Sequence, residues 1–318
     1  MADLPPFASA LGDGIWCIDT GYHRPHYDAA YLLVDDGRAA FFDTGTNFAV
    51  PRLLATLQAL GLPRDAVDWV IPSHVHLDHA GGAGLLMQEL PAARMLLHPR
   101  GLRHMVDPSA LQQAVLSIYG AEVVARDYGR LLPVPAERIT VTEDGMALTL
   151  GTRRLEFAHT PGHAQHHHCL WDERSRGWFA GDTFGVSYRE FDTARGPWIL
   201  AISTPVQFDP PALRTSVQRL LAKQPQAMYL THYGRVGDIG RLGAELLDGI
   251  DRLVALGQAT PAGPGRDERL RDALQAQYQA AARAHGVTRG DAAVADALDM
   301  DLTLNAQGLG IWLDRQRH

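Results

Sequence analysis

The chain has 318 residues, of which 46% are hydrophobic and 20% charged, so a disordered or collagen-like chain is excluded and one large domain or two medium ones are expected. Its 29 basic and 36 acidic side chains give a net charge of −7, which disfavours a nucleic-acid partner because no local basic patch offsets it. No apolar run approaches the roughly 18 to 20 residues of a membrane-spanning helix, and the opening residues lack a secretory signal, so we expect a cytoplasmic protein without membrane contact.

Strand-like and helix-like segments alternate from the start of the chain. Short buried strands are predicted at residues 31–34, 39–42 and 69–71, and the pair Asp36-Gly37 between the first two predicts a hairpin. At least part of the sheet is therefore antiparallel. Helices are predicted at residues 50–60 and 85–90, followed by a strand at 94–97 and a long connection with helical stretches at 99–135.

A second series of elements follows. We predict strands at residues 138–142, 147–150, 155–159, 168–171, 177–180 and 227–230, with a helix at 211–222. Beyond Gly234, Leu242, Leu246 and Ile250 keep helical spacing, and residues 267–285 are rich in Ala, Gln and Arg, which favour helix. The sequence thus predicts an α/β domain at 1–235 and a helical C-terminal extension at 236–318 that packs on it. The apolar helical faces of the extension also allow a homodimer.

Cysteine and histidine are distributed differently along the chain. Cys17 and Cys169 lie in apolar, strand-like contexts, where a buried thiol is favoured over a disulfide. Eight of the 15 histidines, by contrast, fall in two short windows, residues 74–79 and 159–168. Such clustering points to a shared role.

The first window contains His74, His76, Asp78 and His79, four metal-ligating side chains within six residues. They cannot all face one side of a strand or helix, so we expect a loop that turns them around a common point. Imidazole and carboxylate together suit zinc, iron, manganese or cobalt better than calcium, and a catalytic site keeps positions open for water and substrate.

The run His-x-His-x-Asp-His resembles the hallmark of the metallo-β-lactamase-fold hydrolases, and further motifs follow in that superfamily's order. Asp43 in Phe-Phe-Asp-Thr-Gly resembles the early aspartate of the family, and Asp182 in Ala-Gly-Asp-Thr its bridging carboxylate. His163 in Thr-Pro-Gly-His and His232 in Leu-Thr-His-Tyr-Gly resemble its later ligands. The resemblance covers about residues 15–235. The segments at 163–167 and 305–309 resemble a poorly characterised bacterial and archaeal branch.

The resemblance implies an αββα sandwich with a metal centre at one edge. It assigns one ion to His74, His76 and His163 and a second to Asp78, His79 and His232, with Asp182 as the bridge. Asp78 is in addition taken as the catalytic residue. Two divalent ions are expected, with zinc favoured over iron or manganese. Because two ions can share a hydroxide at neutral pH, the expected reaction is hydrolysis of an ester-like carbonyl (ester, thioester or lactone) in a small-molecule substrate.

Other functions are left open by the same residues. True β-lactamases lack the bridging aspartate, so Asp182 makes β-lactamase activity a minor possibility. Homoserine-lactone lactonases carry a tyrosine where this chain has Gly185, so lactonase activity is possible but has no support at that position. Persulfide dioxygenases resemble this ligand set but bind a single iron through two histidines and one aspartate. A binding protein that has lost its chemistry is a further alternative, against which the intact ligand set argues.

Residues around the expected centre receive supporting roles. Asp43 is expected to hydrogen-bond the ligand loop or a ligating imidazole, as carboxylates commonly do. Three histidines that closely follow His163 are expected to support or pack against the site, namely His166, His167 and His168. Aromatic side chains either line an apolar entrance or belong to the core, namely Tyr119, Tyr128, Tyr188 and Trp198.

Overall fold

The computed structural model describes residues 4–203 and 206–316, without the side chains of Ile118 and Tyr119. The chain divides into two compact units. The first contains the chain up to His159, His166–Gly181 and Gln226–Gly237, and the second contains Thr160–Gln165, Asp182–Pro225 and the chain from Asp238 onward. The domain boundary expected near residue 235 stays a prediction.

A seven-stranded sheet forms the first half of the first unit, with its strands side by side in chain order. The strands are β1 (Ala8–Gly12), β2 (Ile15–Asp19), β3 (Ala29–Asp35), β4 (Arg38–Phe42), β5 (Val67–Ile71), β6 (Arg94–Leu97) and β7 (Ile139–Val141). Strands β1 to β4 pair antiparallel, whereas β4 to β7 pair parallel. The mixed sheet expected from the hairpin signal is thereby confirmed.

A six-stranded sheet forms the second half of the same unit. Its strands are β8 (Ala147–Leu150), β9 (Arg153–His159), β10 (His168–Asp172), β11 (Gly177–Gly181), β12 (Ala227–Leu230) and β13 (Gly234–Val236). The order is β13-β12-β11-β10-β9-β8, and only β11 and β12 run parallel. Aromatic rings join the two sheets, since Tyr31 and Phe42 lie 5.3 and 5.4 Å from the ring of Phe179.

The helices of the first unit are α1 (Val50–Ala59), α2 (Leu77–Ala80), α3 (Ala83–Glu89), α4 (Leu102–Val106) and α5 (Ser109–Asp127). Helices α1 to α4 pack against the first sheet, whereas α5 packs in a separate cluster with Leu77 and Leu131. Leu53 and Leu57 of α1 join Leu86 of α3 in one core cluster with Phe41 and Val70 of the sheet. Burial of these apolar side chains is the main force that holds the layer together.

Helices make up most of the second unit. They are α6 (Pro210–Ala222), α7 (Ile239–Ala259), α8 (Arg266–His285), α9 (Asp291–Ala297) and α10 (Asp299–Arg315). The prediction of α7 was based on Leu242, Leu246 and Ile250. All three are buried, as expected for one apolar face of a helix. Asn305 of α10 is also buried, where its Oδ1 accepts from the Ser203 amide at 2.6 Å and its Nδ2 donates to the Tyr278 hydroxyl at 3.0 Å.

Most predicted elements occur, with ends that differ by a few residues. The helix expected at 85–90 begins earlier, at Ala83, because Gly82 already adopts helical backbone angles. Strand β2 was indicated only by the strand-like surroundings of Cys17. Strands β1 and β13 were not predicted, since β1 is largely exposed and β13 has three residues. Cys17 and Cys169 are buried thiols outside any disulfide, as predicted.

Candidate metal centre

The histidine-rich motif lies where β5 leaves the first sheet. His74 is in the loop after β5, and α2 then begins directly after His76 and carries Asp78 and His79. His74 and His79 are fully buried, whereas His76 and Asp78 are partly exposed. The ring of His74 lies 4.3 Å from that of His76 and 4.1 Å from that of His79. The turn therefore gathers the four side chains around one point, as the spacing predicts.

Asp43 binds this loop from the end of β4. Its carboxylate is fully buried and accepts four hydrogen bonds. Ser73 donates through its amide at 2.6 Å and its hydroxyl at 3.0 Å, His79 donates Nδ1–H at 3.0 Å, and Thr231 donates its hydroxyl at 2.6 Å. The hydrogen bonds expected of Asp43, to the ligand loop and to one of its imidazoles, are therefore present. Because Nδ1 of His79 is engaged in this way, its Nε2 is the nitrogen placed to bind a metal ion.

His232 reaches the same place from the end of β12. Its Nδ1–H donates to the Tyr27 carbonyl oxygen at 2.8 Å, which fixes the tautomer with a lone pair on Nε2. That Nε2 lies 3.4 Å from a carboxylate oxygen of Asp78, and the ring lies 5.3 Å from the ring of His79.

Asp78, His79 and His232 could therefore share one cation, because each offers a ligand atom within 4.8 Å of the other two. The donor set, two imidazole nitrogens and a carboxylate, fits a divalent transition metal. Backbone and carboxylate acceptors hold both imidazoles in the ligating tautomer, which is how metal sites are commonly ordered. In this trio, the hydrogen bonds of His79 and His232 at Nδ1 leave Nε2 of each ring to bind a metal ion.

Two predicted ligands belong to the second unit, His163 and Asp182. There His163 Nε2 lies 3.4 Å from a carboxylate oxygen of Asp182, and both side chains are buried. The loop that carries His163 is fixed on α6, since the Gly162 oxygen accepts from the Asp209 amide at 2.8 Å and the Pro161 oxygen accepts from Ser216 at 2.7 Å. The seven predicted ligands are thus divided, five in the first unit and two in the second.

The three consecutive histidines beside this region have separate environments. His168 is fully buried, donates Nε2–H to the Pro72 oxygen at 2.9 Å, and accepts from Thr142 at Nδ1 at 2.9 Å. Burial and the neighbouring His98 lower the pKa of His168 to about 3, so it stays neutral. His167 is buried with its ring stacked 4.9 Å from that of His74. His166 Nδ1 lies 3.4 Å from the Val75 amide.

An aromatic cluster that the sequence did not reveal extends from His232. Tyr27 lies 5.3 Å from the His232 ring, Tyr22 lies 6.0 Å from Tyr27, and the hydroxyls of Tyr22 and Tyr128 are 2.6 Å apart. Burial, followed by the charge of Asp78, raises the pKa of Tyr22 well above its usual range. Burial likewise raises the pKa of the Asp28 carboxyl, next to Tyr27, to about 7.

For the other aromatic residues the sequence left open an apolar entrance or the core. Tyr188 and Trp198 are buried in the second unit, where the Tyr188 hydroxyl donates to Asp301 at 3.0 Å. The side chain of Tyr119 lies outside the described residues. Ser73 and Thr231, which bind Asp43, were also missed, although each directly precedes a predicted ligand in the sequence.

Comparison with known proteins identifies relatives across most of the chain. The model of the metallo-beta-lactamase superfamily matches residues 23–232. A metallo-beta-lactamase fold-containing protein, ST1585 of Sulfurisphaera tokodaii, is 25% identical over 217 residues, which are 67% of this chain and 75% of that protein. The acyl-coenzyme A thioesterase MBLAC2 of Bos taurus is 28% identical over 193 residues, 54% of this chain and 64% of that protein. This chain thus spans less than two thirds of that thioesterase.

Solved structures share the fold. The crystal structure of ST1585 superposes with a TM-score of 0.66 at 18% identity, covering 93% of this chain and 98% of the other. The metallo-beta-lactamase family protein TTHA1429 of Thermus thermophilus gives 0.66 at 23% identity, with 97% and 95% covered. Among the described residues, no helix combines the length and apolar character needed to cross a bilayer.

Proposed function

Because this chain belongs to the metallo-β-lactamase superfamily, we propose that it is a metal-dependent hydrolase acting on an ester-like carbonyl group of a small molecule. The observation that carries the proposal is the trio Asp78, His79 and His232, in which both imidazoles are held in the metal-binding tautomer. Thioesters are the first substrate class to test, because curated relatives are described as acyl-coenzyme A thioesterases.

We further propose that His163 and Asp182 complete the centre, with Asp182 between two ions, zinc being the favoured metal. Chain connectivity supports this. Asp182 directly follows Gly181, where an added Cβ would lie 2.7 Å from the Cβ of Ser73, the neighbour of His74. His163 is three residues from His166, and three residues span at most about 11 Å.

The chemistry divides between the ions and the protein. When bound, divalent ions would lower the pKa of a water molecule and polarise the substrate carbonyl. The chain's own residues orient the ligands: Asp43 fixes the ring of His79, and the Tyr27 carbonyl fixes that of His232. Asp78 is partly exposed and lies beside the rings of His79 and His232. It is the proposed catalytic carboxylate.

Substituting Asp182 tests the two-ion assignment. We expect Asp182→Ala to retain one ion where the unchanged protein binds two, and to lose most of its activity, because a bridging carboxylate contributes to both sites. Elemental analysis of purified protein measures the metal content. Asp251→Ala, which removes an exposed carboxylate that pairs with Arg214 in the second unit, is the matched control and should keep both ions. Two ions retained in Asp182→Ala would refute the bridge.

An activity panel tests the reaction itself. The metal-loaded protein is assayed with 4-nitrophenyl acetate, an acyl thioester and a lactone, and turnover of at least one is expected. Oxygen uptake is followed in parallel with glutathione persulfide as substrate. Catalytic oxygen consumption without ester, thioester or lactone cleavage would overturn the hydrolase proposal.

A further inference from the structure

The second unit contains a cavity of about 250 Å³ between the segment 195–201 and the helices α7 and α8. Within the described residues, its lining includes none of the seven predicted metal ligands. It therefore requires an explanation apart from the metal centre.

Helix α8 runs along the cavity and defines its two ends. Tyr278 and His285 both line it and are seven residues apart, which corresponds to about 10 Å along a helix. At one end, His285 donates Nε2–H to the Gly196 oxygen at 3.0 Å. At the other end, the Tyr278 hydroxyl lies 3.4 Å from the Ala201 oxygen. Two lining side chains about 10 Å apart along α8 thus each contact the segment 195–201.

Part of the cavity lining is apolar and aromatic. Trp198, Leu200 and Leu253 line it and are buried. The Trp198 ring lies nearly parallel to that of His285, at 24° and 6.4 Å between centroids. Gly249 of α7 allows close approach of the wall, since an added Cβ would lie 3.2 Å from the Cβ of Ala201. A flat apolar group fits beside such a lining.

The charged side chains at the rim of the cavity differ in whether they pair with an opposite charge. Glu245 and Asp248 are acidic, but Arg241 pairs with Glu245 at 3.0 Å and Arg252 pairs with Asp248 at 2.6 Å. Arg195, in contrast, has no carboxylate partner within residues 4–203 and 206–316.

The Arg195 guanidinium is held in place by its neighbour on α8. Its Nη1 donates to the Ala284 oxygen at 2.6 Å, at the His285 end of the cavity. This contact leaves the Nε and Nη2 edge of the guanidinium, and that edge matches the two oxygens of a carboxylate. An anchored guanidinium beside apolar side chains has the chemistry to pair with an organic anion.

We propose that this cavity binds a small organic carboxylate with a flat apolar body, whose carboxylate pairs with Arg195 and whose body packs against Trp198. The volume sets the size. At about 30 Å³ per water molecule the cavity has room for roughly eight waters, which corresponds to a single-ring compound. The proposal does not depend on the hydrolase activity.

Calorimetric titration of the metal-loaded full chain with phenylacetate tests the proposal. We expect saturable binding at one site, and weaker binding of the uncharged analogue phenylacetamide. Arg195→Gln should weaken phenylacetate by about tenfold or more, the usual effect of losing hydrogen bonds to a charged group. Ala281→Leu, which places a larger side chain in the cavity, should abolish binding.

Arg252→Gln is the matched control, because it makes the same change in charge at the rim but removes an arginine already paired with Asp248. It should bind phenylacetate as the unchanged protein does. Full affinity in both Arg195→Gln and Ala281→Leu would overturn the proposal, since the ligand would then lie elsewhere, as on the metal ions. Equal weakening by Arg252→Gln, or no saturable binding at millimolar phenylacetate, would overturn it as well. If Ala281→Leu does not fold, the exposed Arg195→Gln decides.

Discussion

Asp43 shows at the scale of one residue how the ligand loops are joined. Its carboxylate accepts hydrogen bonds from Ser73, His79 and Thr231, so it connects the end of β4 to the segments that follow β5 and β12. Asp43 has a left-handed backbone conformation, with φ of 57°, which is uncommon for residues other than glycine. A carboxylate is required here because all of its neighbours donate.

We predict that Asp43→Asn weakens metal binding by about 10- to 100-fold, the range typical of residues that orient a ligand. An amide nitrogen in place of Oδ2 cannot accept from His79 or Thr231, so the imidazole loses its fixed orientation. Competition with a chromogenic chelator measures the affinity. Asp68→Asn, at a partly exposed carboxylate that pairs with Arg38, is the control and should bind metal normally. Equal affinities in the two variants would contradict the role given to Asp43.

The ligands of the first window could be predicted from sequence because four of them lie within six residues. The partners of Asp43 could not be predicted, because they are far from it in the chain. Ser73 becomes its neighbour when β4 pairs with β5, and Thr231 only when the second sheet has formed beside the first. The same applies to the hydroxyl contact between Tyr22 and Tyr128, which are 106 residues apart. Spacing reveals local ligand groups, whereas contacts between distant segments depend on the fold.

At the scale of elements, the hairpin between β3 and β4 was predictable because its turn chemistry is local. Asp36 and Gly37 both have positive φ, at 48° and 73°, as the favoured two-residue turn requires. The pairing of β11 with β12 could not be predicted from the sequence, because 45 residues separate Gly181 from Ala227. Edge strands such as β1 lack the alternating burial that identifies a strand, so they are missed by pattern alone.

The loop after β9, which contacts α6, provides a prediction at this scale. Gly162 has φ of 132°, and an added Cβ would lie 2.2 Å from the Leu213 amide nitrogen. We therefore expect Gly162→Ala to move the loop that carries His163 away from α6, lowering both the melting temperature and the metal content.

Gly61→Ala is the matched control for this substitution. Gly61, just after α1, also has positive φ, at 70°, but an added Cβ meets nothing within 4 Å. The cost there is conformational alone, about 1 kcal/mol, and the metal content should be unchanged. Urea unfolding and elemental analysis compare the two variants. A Gly162→Ala protein with normal metal content would show that the loop tolerates the change.

At the scale of the whole molecule, several buried groups have a pKa that differs from that of the unfolded chain. Burial and the nearby His159 lower the pKa of His98 to about 4, and His168 has a pKa of about 3. Burial alone would raise the pKa of Asp172, but hydrogen bonds from Arg153 and Ser175 lower it.

The homodimer expected from the apolar helical faces of the C-terminal extension stays a prediction.

The pKa shifts of His98, His168 and Asp172 set the expected pH dependence of stability. The unfolded chain protonates both histidines near pH 6.5, whereas the folded chain keeps them neutral to about pH 4 and 3. Between these values the unfolded state binds more protons, so the free energy of unfolding falls as the pH decreases, by up to about 1.4 kcal/mol per pH unit for each histidine. The stabilisation from Asp172 is lost at lower pH, as the pH falls through its depressed folded-state pKa.

His98→Asn tests this dependence with little change in local structure. His98 accepts from the Arg100 amide at the start of a helical turn, a position that asparagine also fills well. Urea unfolding measured from pH 7 to pH 4.5 should show a stability loss per pH unit smaller by up to about 1.4 kcal/mol than in the unchanged protein. Release of metal at low pH affects both proteins alike, because His98 is not a predicted ligand. The exposed His26→Asn serves as the control, and a slope unchanged in His98→Asn would mean that His98 takes up its proton in the folded chain as well.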